Sequence, residues 1–178
     1  TYEHGYLLAG YAGSSPGAVI AQTMWNKLYY STDTLVEYSD KVSNIGNIYK
    51  TYSLSATSSL TDAYFMGGYN NGSYSGSAIK LNYFTDTSQF VYNVLDSLSD
   101  QTSATGSFST GYFFGGHNNG TFYSSVYRIN FSNDTYQTLS SSLSDIRGAA
   151  TATSPRENPI SKLSDDELVT FGDGSLIT

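Results

Sequence analysis

Residues 68–87, "GYNNGSYSGSAIKLNYFTDT", lie without a gap over residues 116–135, "GHNNGTFYSSVYRINFSNDT", at a constant offset of 48. An earlier copy, "KLYYSTDT" from Lys27, repeats "KLNYFTDT" from Lys80 at an offset of 53. Each copy opens on one apolar phrase: "YLLAGYAGS" at Tyr6, "YFMGGYNNG" at Tyr64 and "YFFGGHNNG" at Tyr112. The first copy differs between its glycine and its lysine, where "SSPGAVIAQTMW" changes the loop length. Repetition at this period constrains the fold more than any single motif, because it implies an array of equivalent supersecondary units.

Within a unit the text alternates between strands and turn chemistry. An aromatic run comes first, such as Gly111 to Phe114, and its unbroken apolarity predicts burial on both faces. Gly67–Gly68 and Gly115–Gly116 end it as structural corners, where the backbone needs close approach or a positive φ. Asn70-Asn71-Gly72 and Asn118-Asn119-Gly120 follow, and Asn-Gly is a strong hairpin signal. The next strand alternates, with Tyr127, Ile129 and Phe131 on one face and Val126, Arg128 and Asn130 on the other. Ile79, Leu81 and Tyr83 stand against Ala78, Lys80 and Asn82 in the same way, which predicts a half-exposed strand with a charged outer face. "FTDT" and "SNDT" make Asx-type turns. A shorter strand follows, around Phe90 to Leu95 or Tyr136 to Leu139. A small-residue strand comes last: Ala149 to Thr153, matched by Ser103 to Ser107 and Ser53 to Thr57.

Four short antiparallel strands in a unit of about fifty residues is the pattern of a propeller blade. The doubled glycine, the aromatic strand after it, the Asp-Thr turn and Arg147 in "SDIRGAATAT" together resemble the kelch repeat family over roughly residues 5–154. The likeness departs where kelch units usually carry a Trp after the turn; Tyr136 or Phe90 stands there. The wording "GYFFGG…SSVYRINFSNDTYQTL…R" also resembles repeats in large virion structural proteins of tailed phages, especially those infecting cyanobacteria. The expected architecture is all-β. It has three kelch-like four-stranded antiparallel blades, in repeats of about 1–57, 58–106 and 107–154, forming a partial or oligomer-completed β-propeller. The phage resemblance implies a non-enzymatic virion structural or attachment module of tail-fibre or decoration type, located in a virion or extracellularly. Its implied partners are further copies of itself, neighbouring virion proteins or a surface glycan. The alternative is a free extracellular carbohydrate- or protein-binding propeller.

The repeats open on an apolar strand and end on an extra small-residue strand. This is the offset by which a circular propeller closes, with its last strand completing its first sheet. Three units fall short of the roughly four to eight blades of a closed ring. The expectation is therefore a fragment of a longer propeller, a ring shared between copies, or an open prism in a fibre. Open sheet edges attract pairing, which favours assembly. Thr rather than Met at residue 1 fits an excised or processed piece of something longer.

Composition removes several function classes. Charged residues are 13% and aromatics 15%, and disordered chains have the opposite balance. A net charge of −7 with no basic run argues against nucleic acid as a partner. No apolar run approaches the roughly 20 residues of a membrane span. The absence of cysteine excludes disulfides, thiolate metal sites and the Cys–Tyr radical-copper chemistry known on kelch folds. Arg128, Arg147 and Arg156 fall in the last third of the chain rather than on separate blades, unlike the arginine triad of sialidases. His4 and His117 occupy unrelated places in the repeat, and His117 reads as a turn residue.

Asp33, Asp86 and Asp134 recur at one place per copy; one carboxylate per turn is too few for calcium, so they read as turn formers. The sequons at Asn71, Asn119, Asn130 and Asn133 arise readily in a chain of this composition. No cofactor, metal or catalytic residue is expected. The candidate contact residues are outward aromatics, namely Trp25, Tyr29, Tyr69, Tyr74, Phe122 and Tyr123, whose rings suit sugar or protein surfaces. The competing reading packs them between blades. Residues 155–178 change character, carrying a local charge of −3 from Arg156 and a capping box at Ser164 and Glu167. They read as an acidic linker and docking tail.

Overall fold

The computed structural model describes residues 4–8, 11–12, 20–21, 25–38, 53–70, 73–91 and 100–153. The acidic tail expected at 155–178 lies outside the described residues. Every regular element among those described is a strand.

The first sheet joins β1 (His4–Leu8) to β4 (Trp25–Tyr29) and β4 to β5 (Thr34–Tyr38), all antiparallel. Between β1 and β4 a small hairpin projects, built from β2 (Tyr11–Ala12) and β3 (Ile20–Ala21). The second sheet contains β6 (Ser55–Ser58), β7 (Asp62–Met66), β10 (Ala78–Asn82) and β11 (Thr87–Val91), in that spatial order. Its hairpin is β8 (Tyr69–Asn70) with β9 (Ser73–Tyr74). The third sheet repeats the order with β12 (Ser103–Gly106), β13 (Thr110–Phe114), β16 (Val126–Asn130) and β17 (Thr135–Thr138). Its hairpin is β14 (His117–Asn118) with β15 (Thr121–Phe122). The protein is thus all-β, three antiparallel blades in a propeller-like succession, with no closed ring among the described residues. Each four-stranded blade takes its inner strand from the end of the preceding repeat, which is the offset visible in the sequence. The first blade has three strands among the described residues, one fewer than expected.

Local chemistry explains the turns. The hairpins closing the third and fourth strands place Asp33, Asp86 and Asp134 at φ 50, 53 and 55. Asp tolerates this left-handed region better than most residues, so the recurrent carboxylate does form the turn. Asn82 Oδ1 accepts bonds from the Phe84 and Thr85 amides, and Asn133 Oδ1 accepts one from Thr135, completing the Asx geometry. Asn119 and Gly120 both have positive φ, the signature of the type I′ hairpin that Asn-Gly favours. The glycine corners Gly67, Gly68, Gly115 and Gly116 lie at φ 78, 101, 67 and 112. A Cβ on Gly115 would also collide with the Arg147 carbonyl.

The core lies between blades. Tyr64, Met66 and Ala78 of the second blade pack on Phe113, Tyr127 and Ile129 of the third. The opposite face of the second blade, Ala63, Phe65, Ile79 and Leu81, packs with Trp25 of the first, flanked by Tyr6 and Leu8. All five residues of β7 are therefore buried, whereas β13 alternates, because among the described residues only the second blade is covered on both faces.

This packing corrects two expectations. The strand bearing Lys80 is not half-exposed: Ala78 is fully buried, and its lysine face meets the next blade rather than water. Only β16, with Arg128 and Asn130 exposed, has the expected pattern. The small-residue strand expected at Ala149 to Thr153 is not a strand either. Ala149 has φ 52, and residues 150–153 run without a ladder partner among the described residues.

Truncation of Phe113, which is fully buried between blades, is expected to cost about 3–5 kcal/mol of stability. Phe84→Ala, at an 81% exposed site, is expected to stay within about 0.5 kcal/mol of the parent. Chemical denaturation of the two variants checks the contrast.

Candidate functional site

Two constellations concentrate the chemistry of the described residues: ionic latches between blades, and an aromatic rim on the hairpins.

The latches grow from strand register. Tyr6 lies directly across from Lys27, Tyr64 from Lys80, and Tyr112 from Arg128, so each blade carries a Tyr–cation pair on one face. The cation sits beside the ring, with Lys27 Nζ 5.3 Å from the Tyr6 centroid and Lys80 Nζ 5.4 Å from that of Tyr64. Both groups converge on the turn aspartate of the next blade. Lys27 Nζ donates to Asp86 Oδ1 and Oδ2 at 3.0 Å each, and Tyr6 Oη donates to Oδ1 at 2.8 Å. One blade on, Lys80 Nζ donates to Asp134 at 3.0 and 2.8 Å, and Tyr64 Oη donates at 2.6 Å. The aromatic opening the same turn completes each latch: Tyr6 stacks on Tyr83 at 5.2 Å, and Tyr64 on Phe131 at 4.9 Å.

Burial pushes the Tyr6 hydroxyl up to about 12; Asp86 adds to that rise and Lys27 opposes it. Tyr64 is raised further, again by burial first and then by Asp134. Burial works against the Lys27 ammonium, but hydrogen bonds to Asp86 and Tyr6 outweigh it and hold its pKa above the ordinary lysine value. These groups are thus locked in the protonation states that suit an ion pair, and none is poised to exchange a proton near neutral pH.

The rim is built by the projecting hairpins of the second and third blades. Tyr69 packs edge-on to Tyr74 at 4.8 Å, Tyr74 edge-on to His117 at 6.1 Å, and His117 against Phe122 at 5.0 Å. Tyr74 Oη accepts a 2.8 Å bond from the Asn119 amide, tying one hairpin to the other. His117 Nε2 accepts from the Gly120 amide at 2.9 Å, which puts its proton on Nδ1, 3.2 Å from Asp100 Oδ1. The ring is fixed as a turn residue, with neither nitrogen open to a ligand. Arg147 acts through its backbone, accepting from Gly116 N and donating to Tyr123 O, so that it clamps the base of the rim.

The structure therefore gathers Tyr69, Tyr74 and Phe122 into one cluster, with Phe122 the most exposed of the three. Tyr123, next in the chain after Phe122, is half-buried. Tyr29 stands apart, edge-on to His4 at 4.6 Å. Trp25, expected on an outward face, is instead 2% exposed, stacked at 5.7 Å on Tyr6 inside the first inter-blade core. It is buried because the second blade covers that face of β4. Sequence reasoning misses the latch tyrosines, although their signal is present: Lys/Arg and Asp keep a spacing of six in all three copies. Between β1 and β6 a cleft of about 280 Å³ opens, lined by Gly5, Tyr6, Tyr30, Thr57 and their neighbours.

No family model matches the chain, and no curated protein matches it. Among solved structures 133 chains match. One of them, "Structure of YjhT", superposes with a TM-score of 0.66 at 11% identity, over 83% of this chain and 51% of that one. A likeness at this identity supports the fold alone. The chain spans about half the length of that structure.

Removing Asp134 takes the acceptor of the buried Tyr64 hydroxyl and the nearer carboxylate of Lys80, which keeps only Asp62 Oδ2 at 3.8 Å. Asp134→Asn keeps a residue that tolerates the turn and is expected to cost about 1–2 kcal/mol. Asp134→Ala is expected to cost roughly 1 kcal/mol more, because Ala resists the left-handed region. Both are read by urea denaturation. The upward shifts at Tyr6 and Lys27 mean that the folded chain holds these protons more tightly than the unfolded one. The contribution of Tyr6 is complete below about pH 10 and is lost as pH rises through about 12, and that of Lys27 has the same sign. Stability is expected to decline in that window, and Tyr6→Phe is expected to flatten the decline; a decline left unchanged by Tyr6→Phe, followed by denaturation across the pH series, would contradict the assignment.

Proposed function

We propose that this protein is a non-enzymatic structural or attachment module, of the tail-fibre or decoration kind found on virions, acting through protein–protein or glycan contacts. The observation that carries the reading is the placement of the titratable groups. Tyr6, Lys27, Asp86, Tyr64, Lys80 and Asp134 face one another across blade interfaces, and His117 is pinned by Asp100 and Gly120. They serve rigidity rather than proton transfer. The aromatic hairpin rim is then the natural contact surface, since variable loops on a rigid scaffold commonly carry recognition. The kelch and tailed-phage resemblances supply the setting, in a virion or outside the cell. Neighbouring virion proteins are the expected partners, and a surface glycan is a further one.

A free carbohydrate- or protein-binding propeller is the second reading, favoured by the ring cluster of Tyr69, Tyr74 and Phe122. A glycan array and a particle-incorporation assay separate the two. The structural reading expects the chain to be incorporated into particles, with or without a glycan signal, and no turnover on a broad hydrolase and oxidase panel; the free-propeller reading expects a strong glycan signal without incorporation. Phe122→Ala is expected to weaken particle attachment at least tenfold with an unchanged melting temperature. Turnover abolished by a single substitution would overturn both readings.

A further inference from the structure

The geometry points to a head-to-tail dimer of this chain, in which two copies of three blades close one six-bladed ring through the same latch that joins blades within a copy. The inference does not depend on what the rim binds.

Each blade has a trailing face that offers Tyr and Lys or Arg, and a leading face that offers an aromatic and Asp. Two such unions are made within the chain, and each end of the blade series presents the matching half of a third. On the third blade, Tyr112 and Arg128 occupy the places of Tyr64 and Lys80, 48 residues on. Arg128 is exposed and donates to its cross-strand neighbour Gln137 at 2.9 Å, whereas Lys80 turns from the equivalent Gln89 toward Asp134. On the first blade, Asp33 has the same left-handed turn as Asp86 and Asp134, is exposed, and forms no ion pair with a described residue. Tyr30, the counterpart of Tyr83 and Phe131, lies over Gly5 as Phe131 lies over Gly111, yet remains 55% exposed. Leu7 and Leu35 of the same blade are 61% and 56% exposed. Their face corresponds to the one that, in the second blade, is buried against Trp25.

Two further observations locate the inner strand. The first blade has none among the described residues, and the cleft of about 280 Å³ between β1 and β6 lies at its seat. Beyond the third blade, Thr151-Ala152-Thr153 repeats Ser55-Ala56-Thr57 and Ser103-Ala104-Thr105, at the same interval of 48. The residues just before them are already held beside β12: Ala149 N donates to Gln101 O at 2.8 Å, as Gln101 N does to Ser53 O at 3.1 Å, and Ser103 Oγ donates to Ala150 O at 2.7 Å. The hydroxyl of Thr57 donates to Thr105 O at 3.1 Å, but the buried Thr105 hydroxyl has no partner among the described residues. Its counterpart acceptor is Thr153 O, which would come within reach once that segment is drawn into a sheet.

In the dimer, Thr151–Thr153 of one copy add to β1 of the other as its inner strand, with Thr153 opposite Tyr6, Ala152 opposite Leu7 and Thr151 opposite Leu8. This is the register that Thr57, Ala56 and Ser55 keep with β7. Arg128 and Tyr112 then clasp Asp33 of the other copy, and Tyr112 stacks on its Tyr30. A heterologous contact closes into a ring when its rotation permits. Two copies supply six blades, inside the usual range of about four to eight, and three copies would exceed it.

Sedimentation equilibrium of the 178-residue chain is expected to give twice the 19.3 kDa monomer mass. Asp33→Lys and Arg128→Asp, each alone, face like charges across both interfaces and are expected to raise the dimer Kd at least tenfold. Mixing the two variants restores the parent Arg128–Asp33 pair at one interface and sets the two substituted, again opposite, charges against each other at the second. The dimer is therefore expected to return. Should either variant fail to fold, Leu7→Cys with Ala152→Cys in one otherwise cysteine-free chain gives a second readout: an intermolecular disulfide under oxidation. A monomeric parent, a dimer indifferent to both charge changes, or a disulfide formed only within one chain would each overturn the inference.

Discussion

The arrangement rests on a carboxylate presented by one blade to a lysine and a tyrosine of the blade before it. Face-to-face stacking of sheets buries the strand that carries the lysine, and a lysine buried without a counter-charge would be costly. Asp86 and Asp134 remove that cost, and their left-handed turns aim them at the neighbouring blade. One residue therefore closes a hairpin and joins two sheets. A ring stacked on the tyrosine shields the pair from water and contributes roughly 0.5–1.5 kcal/mol beyond its burial.

The consequences for function follow from where this chemistry lies. A module whose acids, amines and phenols hold its blades together is stiff, and stiffness suits a part that bears load or presents loops. The hairpins project between the second and third strands of each blade, and those of the second and third blades interlock through Tyr74, Asn119 and His117. Their tips can differ between copies without disturbing the latches, since the loop that varies most in sequence, after Gly10, belongs to this same hairpin position in the first blade.

Much of the architecture is legible in the sequence alone. The glycine corners, the Asn-Gly turn at Asn119 and Gly120, the Asp-bearing hairpins and the offset of the inner strand are local and follow from backbone preference. Long-range pairings are harder to read. Alternation around Lys80 and Arg128 is identical, yet one cation is half-buried against the next blade and the other exposed, because burial depends on whether another blade follows. Trp25 looks like a surface aromatic for the same reason. Period two reports that a strand has two faces; it does not report that both are covered. The recurrence of Tyr, Lys and Asp in register is the available clue, and it gains meaning only when Asp is assigned to the next unit rather than its own.

A double-mutant cycle on Lys27 and Asp86 tests the central claim most directly. Lys27→Met, Asp86→Asn and the double variant are compared by equilibrium denaturation. The latch predicts a coupling energy of about 1–2 kcal/mol between residues on different blades, well above the few tenths expected of independent sites. Additive effects within experimental error would show that the blades are held by apolar packing alone, and would contradict the account.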